Sequence, residues 1–157
     1  MKSSNQVKAI SFFLVSLFIV LTFCVLSVNA AQVTWTVETV DAAVSVGGSN
    51  SISLDSMNRP HISYHDNYWN DLKYAKYTGS SWSIEPVDTP GFVGFYTCLC
   101  LDSLDRPHIA YTDEQNSDLK YAWYTGSSWS KERVDNASSS QVSLCLDTTD
   151  RPHIVYQ

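Results

Sequence analysis

The stretch "DSMNRPHISY", Asp55 to Tyr64, returns as "DSLDRPHIAY", Asp102 to Tyr111, and again as "DTTDRPHIVY", Asp147 to Tyr156. Working outward from it, residues 50–88 laid over residues 97–135, a shift of 47, match at 24 of 39 positions. Self-similarity at such a period is the mark of a repeat architecture, in which each copy is one supersecondary unit. In the third copy Arg151 follows Arg106 by 45 residues, the two missing positions falling in the connector between Asp135 and Ser143. A partial copy precedes the first, because "WTVETVD" (Trp35–Asp41) matches "WSIEPVD" (Trp82–Asp88) and "WSKERVD" (Trp129–Asp135).

Within a whole copy, alternation and turn residues mark four strand-like runs. In the first copy these are "SISLD" (Ser51–Asp55), "HISYH" (His61–His65), "DLKYAKY" (Asp71–Tyr77) and "SWSIEPVD" (Ser81–Asp88). The last is entered through Thr78-Gly79-Ser80, where glycine supplies a positive φ without steric cost. No segment beyond the leader carries a helical period. Four short antiparallel strands in a unit of about 45 residues, repeated in tandem, predict an all-β chain of β-propeller blades. A sandwich of hairpins is the competing architecture, but it gives no reason for the runs to return in one order. The predicted organisation is a lone fourth strand over 33–41, whole blades over 48–88 and 95–135, and a half blade over 141–157. About two and a half blades fall short of the four to eight that close a ring. The expectation is therefore a fragment of a longer propeller whose remaining blades lie elsewhere, with closure by oligomerisation as the alternative.

At "LDSMNRPHISYHD" and "DLKYAKYTGSSWS" the chain resembles the tandem repeats of secreted and cell-surface β-propeller proteins of bacteria and archaea. The resemblance covers residues 33–157 and implies a fold more than an activity. The Tyr-x-Gly-x-x-Trp element (Tyr77, Gly79, Trp82; Tyr124, Gly126, Trp129) is similar in style to the blade ends of propeller lectins, though no set of sugar-binding residues carries over. Sialidase-type propellers differ: their blade turns place an aspartate before the glycine, whereas this chain has "TGSSWS".

The N-terminal segment is read as an address. Lys2 and Lys8 precede an uncharged apolar run from Ala9 to Val28, and Val28-Asn29-Ala30 offers small residues for cleavage before Ala31. The reading is a signal peptide over 1–30 and a secreted or cell-surface domain over 31–157. The run is long enough to cross a bilayer, so an uncleaved anchor is the alternative, and the only membrane link expected. The remaining 127 residues hold eight Lys plus Arg against sixteen Asp plus Glu, a charge of about −8 that disfavours nucleic acid. Cys98, Cys100 and Cys145 survive cleavage, and an odd count excludes a complete disulfide framework in a monomer. They are expected to be small buried side chains beside an inner strand, Ser53 standing where Cys100 and Cys145 do.

Repetition also sorts the candidate chemistry. A residue present in every copy is most simply something every copy needs, and a site unique to one place should show as a departure between copies. Asp55, Asp102 and Asp147 open the repeated turn, where a carboxylate accepts from N–H groups further on. Asn58, Asp105 and Asp150 suit a left-handed position. Arg59, Arg106 and Arg151 can pair with the turn aspartates, and Pro60, Pro107 and Pro152 start the next strand. His61, His108 and His153 are expected to be packed and hydrogen-bonded rather than metal ligands. Asp66 with Asp71, and Asp113 with Asp118, bracket loops in which calcium is the one candidate ion, although the glycine-centred spacing of known calcium loops is absent. No other cofactor is expected.

The copies differ most at "HDNYWND" (His65–Asp71) against "TDEQNSD" (Thr112–Asp118). Tyr68 and Trp69 have no counterpart in the second copy, and with the repeated Trp82 and Trp129 they are the candidate contacts for a carbohydrate or a protein surface. Trp123 in place of Lys76 is a second departure. Asn136-Ala137-Ser138 is a glycosylation sequon. No acid pair and no nucleophile with its base points to an enzyme. The functional expectation is a non-enzymatic recognition or display segment, with a lectin as the more specific reading and a glycoside hydrolase or lyase as the reading from another class.

Overall fold

A computed structural model describes residues 34–137 and 139–157; the predicted leader lies outside them. Val37–Gln157 forms one compact unit of antiparallel strands. The first copy folds as β1 (Val46–Leu54), β2 (Pro60–Asp66), β3 (Asp71–Tyr77) and β4 (Trp82–Asp88), hydrogen-bonded in that order into one sheet. The second repeats it as β5 (Val93–Leu101), β6 (Pro107–Asp113), β7 (Asp118–Tyr124) and β8 (Trp129–Asp135). The third supplies a hairpin, β9 (Val142–Leu146) and β10 (Pro152–Tyr156). Among the described residues there is no helix.

Strands β2 to β4 fall within a residue of the sequence runs, because alternating apolar residues and turn signals bracket them. The first strand of each unit begins earlier than expected. Val46-Gly47-Gly48-Ser49-Asn50 reads as a loop, yet it pairs with the end of β2 through two register shifts, with Ser49 at φ 42°. The equivalent irregularity in β5 centres on Tyr96 at φ 50°. Such bulges let a glycine- and serine-rich segment stay in a ladder while bending it.

The strand expected over 33–41 is not formed among its described residues. A fourth strand needs a third strand to pair with, and none stands beside this segment among the described residues. The segment nevertheless keeps the side-chain contacts of a fourth strand. Trp82 Nε1 donates to Glu38 Oε1 at 2.8 Å, as Trp129 Nε1 donates to Glu85 Oε1 at 3.1 Å. Tyr64 donates to Asp41 Oδ2 at 2.7 Å, as Tyr111 donates to Asp88 Oδ2 at 2.7 Å.

Sheet packs on sheet through the inner strands, β5 lying against β1, β2 and β3, and β9 against β5 and β6. The main core fills the first junction: Leu72, Tyr74 and Val87 from the first sheet meet Val93, Leu99, Ile109 and Tyr111 from the second. A smaller cluster of Ala110, Tyr121 and Leu144 fills the second junction. Polar side chains index the sheets as well. Leu99 N donates to Ser51 Oγ at 3.0 Å, and Leu144 N donates to Cys98 Sγ at 3.2 Å, the same bond one unit on. Cys98 is thus a half-buried acceptor, and burial pushes the Cys100 thiol up to about 12. Cys145, expected to be buried, is exposed, since no described strand covers that face of β9.

Candidate functional site

Each repeated hairpin turn is built around its aspartate. Asp55 Oδ1 accepts from Met57 N at 2.9 Å and Arg59 N at 2.7 Å, while Oδ2 accepts from Arg59 Nε at 2.7 Å. Burial alone would raise the Asp55 pKa, but these donors outweigh it and hold the carboxyl at about 2. Asp102 repeats the set with Leu104 and Arg106, and Asp147 with Thr149 and Arg151. Asn58, Asp105 and Asp150 sit at φ 59°, 60° and 61°. The two aspartates do more than tolerate that conformation. Asp105 accepts from Ser56 N at 2.9 Å and Ser56 Oγ at 2.5 Å, and Asp150 accepts from Ser103 N and Oγ at 2.9 and 2.6 Å. Every such bond ties a turn to the turn of the preceding unit.

Behind each of the first two turns lies a buried chain of three side chains. The Tyr74 hydroxyl bonds to His61 Nδ1, and His61 Nε2 stands 3.5 Å from Asp55 Oδ2. Tyr121, His108 and Asp102 repeat it, with 3.6 Å for the second contact. Burial lowers the pKa of both histidines against the opposing pull of their aspartates, so the imidazoles are neutral at neutral pH. Burial likewise raises both tyrosines. Such a chain can relay a proton in principle. In both copies its ring nitrogens and hydroxyl are taken up by one another and by the turn. His153, with no third strand beside it, is exposed and reaches only Asp147, at 3.5 Å.

The first chain forms one wall of a cleft of about 470 Å³ between the first two sheets. The second sheet supplies Asp105, Arg106 and Tyr124 across it, and Lys76 and Glu85 stand on the near side.

The four aromatic contact candidates do not share a site. Trp82 pairs with Tyr77 beside the β3–β4 turn, whereas Tyr68 and Trp69 lie in the β2–β3 loop at the other end of the same sheet. Trp129 packs edge-on against Tyr74 and Tyr124 and gives its N–H to Glu85, so Trp82 and Trp129 serve as clamps between units. Tyr68 and Trp69 remain 62% and 68% exposed, edge to face at 4.9 Å, beside a hollow formed with Ala43, Val44 and Asp66. Trp123 stacks on Tyr121, 5.4 Å between centroids.

The first acid of each of these loops is occupied internally. Asp66 accepts from Tyr68 N and Trp69 N at 2.9 and 3.1 Å and has Lys73 Nζ at 2.6 Å; Asp113 accepts from Asn116 N and Nδ2. Among the described residues no three His, Cys, Asp or Glu side chains gather as a metal site. Asn136 is exposed, while Ser138 of its sequon lies outside the described residues.

Sequence reasoning overlooked the acids that end each fourth strand. Asp88 is 2% exposed and accepts from Tyr111 at 2.7 Å, Lys120 at 2.5 Å and Lys131 at 2.9 Å. Burial would raise its pKa, but the two ammonium groups and the tyrosine hold it below the usual carboxylate range. The signal was present, since Asp41, Asp88 and Asp135 close three matching segments and Tyr64, Tyr111 and Tyr156 close three others. Compared with known proteins, the chain matches no family model and no curated protein.

Proposed function

We propose that this chain is an exported, non-enzymatic module of β-propeller type that serves recognition or display at the cell surface. The propeller reading is supported by four-stranded antiparallel sheets in sequence order whose first strands stand side by side. The export reading rests on the leader pattern over residues 1–30. The non-enzymatic reading is supported by the buried Asp–His–Tyr chains, which have the same internal partners in both units, as scaffold would.

The observation that carries recognition is the exposed Tyr68–Trp69 pair, set in the loop where the two copies differ most. Aromatic faces beside hydrogen-bonding groups suit the apolar face of a sugar ring, which makes a lectin the more specific form of the reading. The test is a glycan array probed with the exported chain and with Trp69→Ala. Binding lost in the variant supports the reading; no glycan above background sinks its lectin form. Hydrolysis of a bound glycan that disappears in His61→Gln overturns the non-enzymatic assignment.

A further inference from the structure

We propose that the cleft between the first two sheets binds the carboxylate of a sugar-sized ligand, held by Lys76, Arg59 and Arg106. This rests on the recognition reading and adds to it a second site and a ligand class. The argument begins from which polar groups of the lining are already used. Both Asp55 oxygens are filled by the turn, both Asp105 oxygens by Ser56, and Glu85 Oε1 by Trp129, which leaves Glu85 Oε2 as the one lining carboxylate oxygen without a hydrogen bond among the described residues. The cations are less committed. Arg59 and Arg106 each use Nε on their own turn aspartate, which leaves the terminal guanidinium nitrogens without a hydrogen bond among the described residues. Lys76 is exposed and takes part in no ion pair among them. The cleft therefore offers more free donors than free acceptors, although its formal charges, three acids against three bases, cancel.

The departure between copies falls at the same place. Lys76 is replaced by Trp123 in the second unit, where the ring stacks on Tyr121. A group needed only for packing would be expected at both junctions. Two guanidinium edges and an ammonium suit a carboxylate, which accepts bidentate bonds that a neutral hydroxyl cannot match. The chain's overall charge of −6 opposes a polyanion, so one carboxylate on an otherwise neutral molecule fits best. A cleft of about 470 Å³ has room for one or two sugar rings.

The probes are galacturonate and its neutral methyl ester, which differ in charge and little in shape, followed by backbone amide shifts at low salt. Galacturonate should move resonances within 55–61, 74–76 and 104–107, and the ester should not. Lys76→Met, at an exposed position without partners, should weaken binding about tenfold with the fold intact, and high salt should act the same way. Trp69→Ala should leave galacturonate binding unchanged. Equal shifts from acid and ester, or full binding by Lys76→Met, would overturn the assignment. Neutral glycans that need Trp69, with no galacturonate shift, would remove this site and leave the recognition reading standing; galacturonate binding with a blank array would do the reverse.

Discussion

Gly94 lies directly against Leu72: at φ +92°, a Cβ on Gly94 would stand 2.8 Å from Leu72 Cα. The contact joins the bulge of one unit's inner strand to the third strand of the unit before it. Gly47 holds the same place in the first unit at φ +90°, with nothing within 4 Å of its Cβ position. Gly94→Ala therefore meets both left-handed strain and a backbone clash, and Gly47→Ala meets strain alone. We expect Gly47→Ala to cost about 1 kcal/mol and Gly94→Ala about 3 kcal/mol or more in urea unfolding. Equal costs would show that the inner strands do not pack as described.

Asp88 gathers Tyr111, Lys120 and Lys131 from the next sheet, so its loss leaves Lys131 without an ion pair, Lys120 with only Asp113 at 3.7 Å, and the buried Tyr111 hydroxyl without its acceptor. Asp88→Ala should destabilise by about 2–4 kcal/mol, in the range for breaking a buried ion pair from one side. Asp41→Ala removes the hydrogen bond from Tyr64, an exposed one from Ala43 N and a Lys73 contact at 3.8 Å, and should cost about 1 kcal/mol. A reversed order, measured by denaturant midpoint, would mean that the first junction is not held by this cluster.

The repeated turn allows a backbone effect to be separated from a junction effect. Asn58 and Asp105 share φ values of 59° and 60°, which glycine adopts freely. Asn58→Gly should be neutral within about 0.5 kcal/mol. Asp105→Gly loses both bonds to Ser56 and should cost about 1–2 kcal/mol. If the two variants unfold alike, the aspartate serves only its own turn.

Acid should weaken the fold in two stages. Burial depresses the pKa of His61 and His108, so below about 6.5 the unfolded chain takes up protons that the folded chain refuses. Stability from this source is complete above that value and is lost as pH falls toward the folded pKa. Asp66, Asp88 and Asp102 titrate below their unfolded value of about 3.9, and their contribution goes as pH falls through their folded values. Asp71, raised by burial and by Asp66, opposes this weakly. Denaturant midpoints should fall modestly from pH 7 to 5.5 and steeply below pH 4; a flat profile from 7 to 5.5 would contradict neutral buried histidines.

What the sequence made legible follows from what repeats reveal. Strands β2 to β4, and the roles of Asp55, Asn58 and Arg59 in the turn, are local matters of alternation and turn chemistry that a single copy already displays. The contacts of Asp88 and Asp105 are not local: each acts on the neighbouring unit, and alternation carries no information about which sheet lies opposite. The early start of β1 was hidden because Gly47 and Gly48 read as a turn while serving a bulge. The segment before Asp41 kept the residues of a fourth strand without a third strand to hold it in a ladder. The separation of Trp69 from Trp129 was hidden for a related reason. Composition marks both as aromatic, and only the register puts them at opposite ends of their sheets.

The central claim is that the tryptophan repeated in both copies holds the units together while the loop aromatics peculiar to the first copy face outward. Two tryptophans test it directly. Trp129 is clamped by Glu85, Tyr74 and Tyr124, and Trp69 is 68% exposed beside Tyr68. The deciding measurement is the thermal midpoint of Trp129→Ala beside that of Trp69→Ala in the same buffer. The account predicts a fall of roughly 10 °C for Trp129→Ala, from a loss of about 2–3 kcal/mol, and a change within about 2 °C for Trp69→Ala. Equal falls, or a larger one for Trp69→Ala, would contradict it.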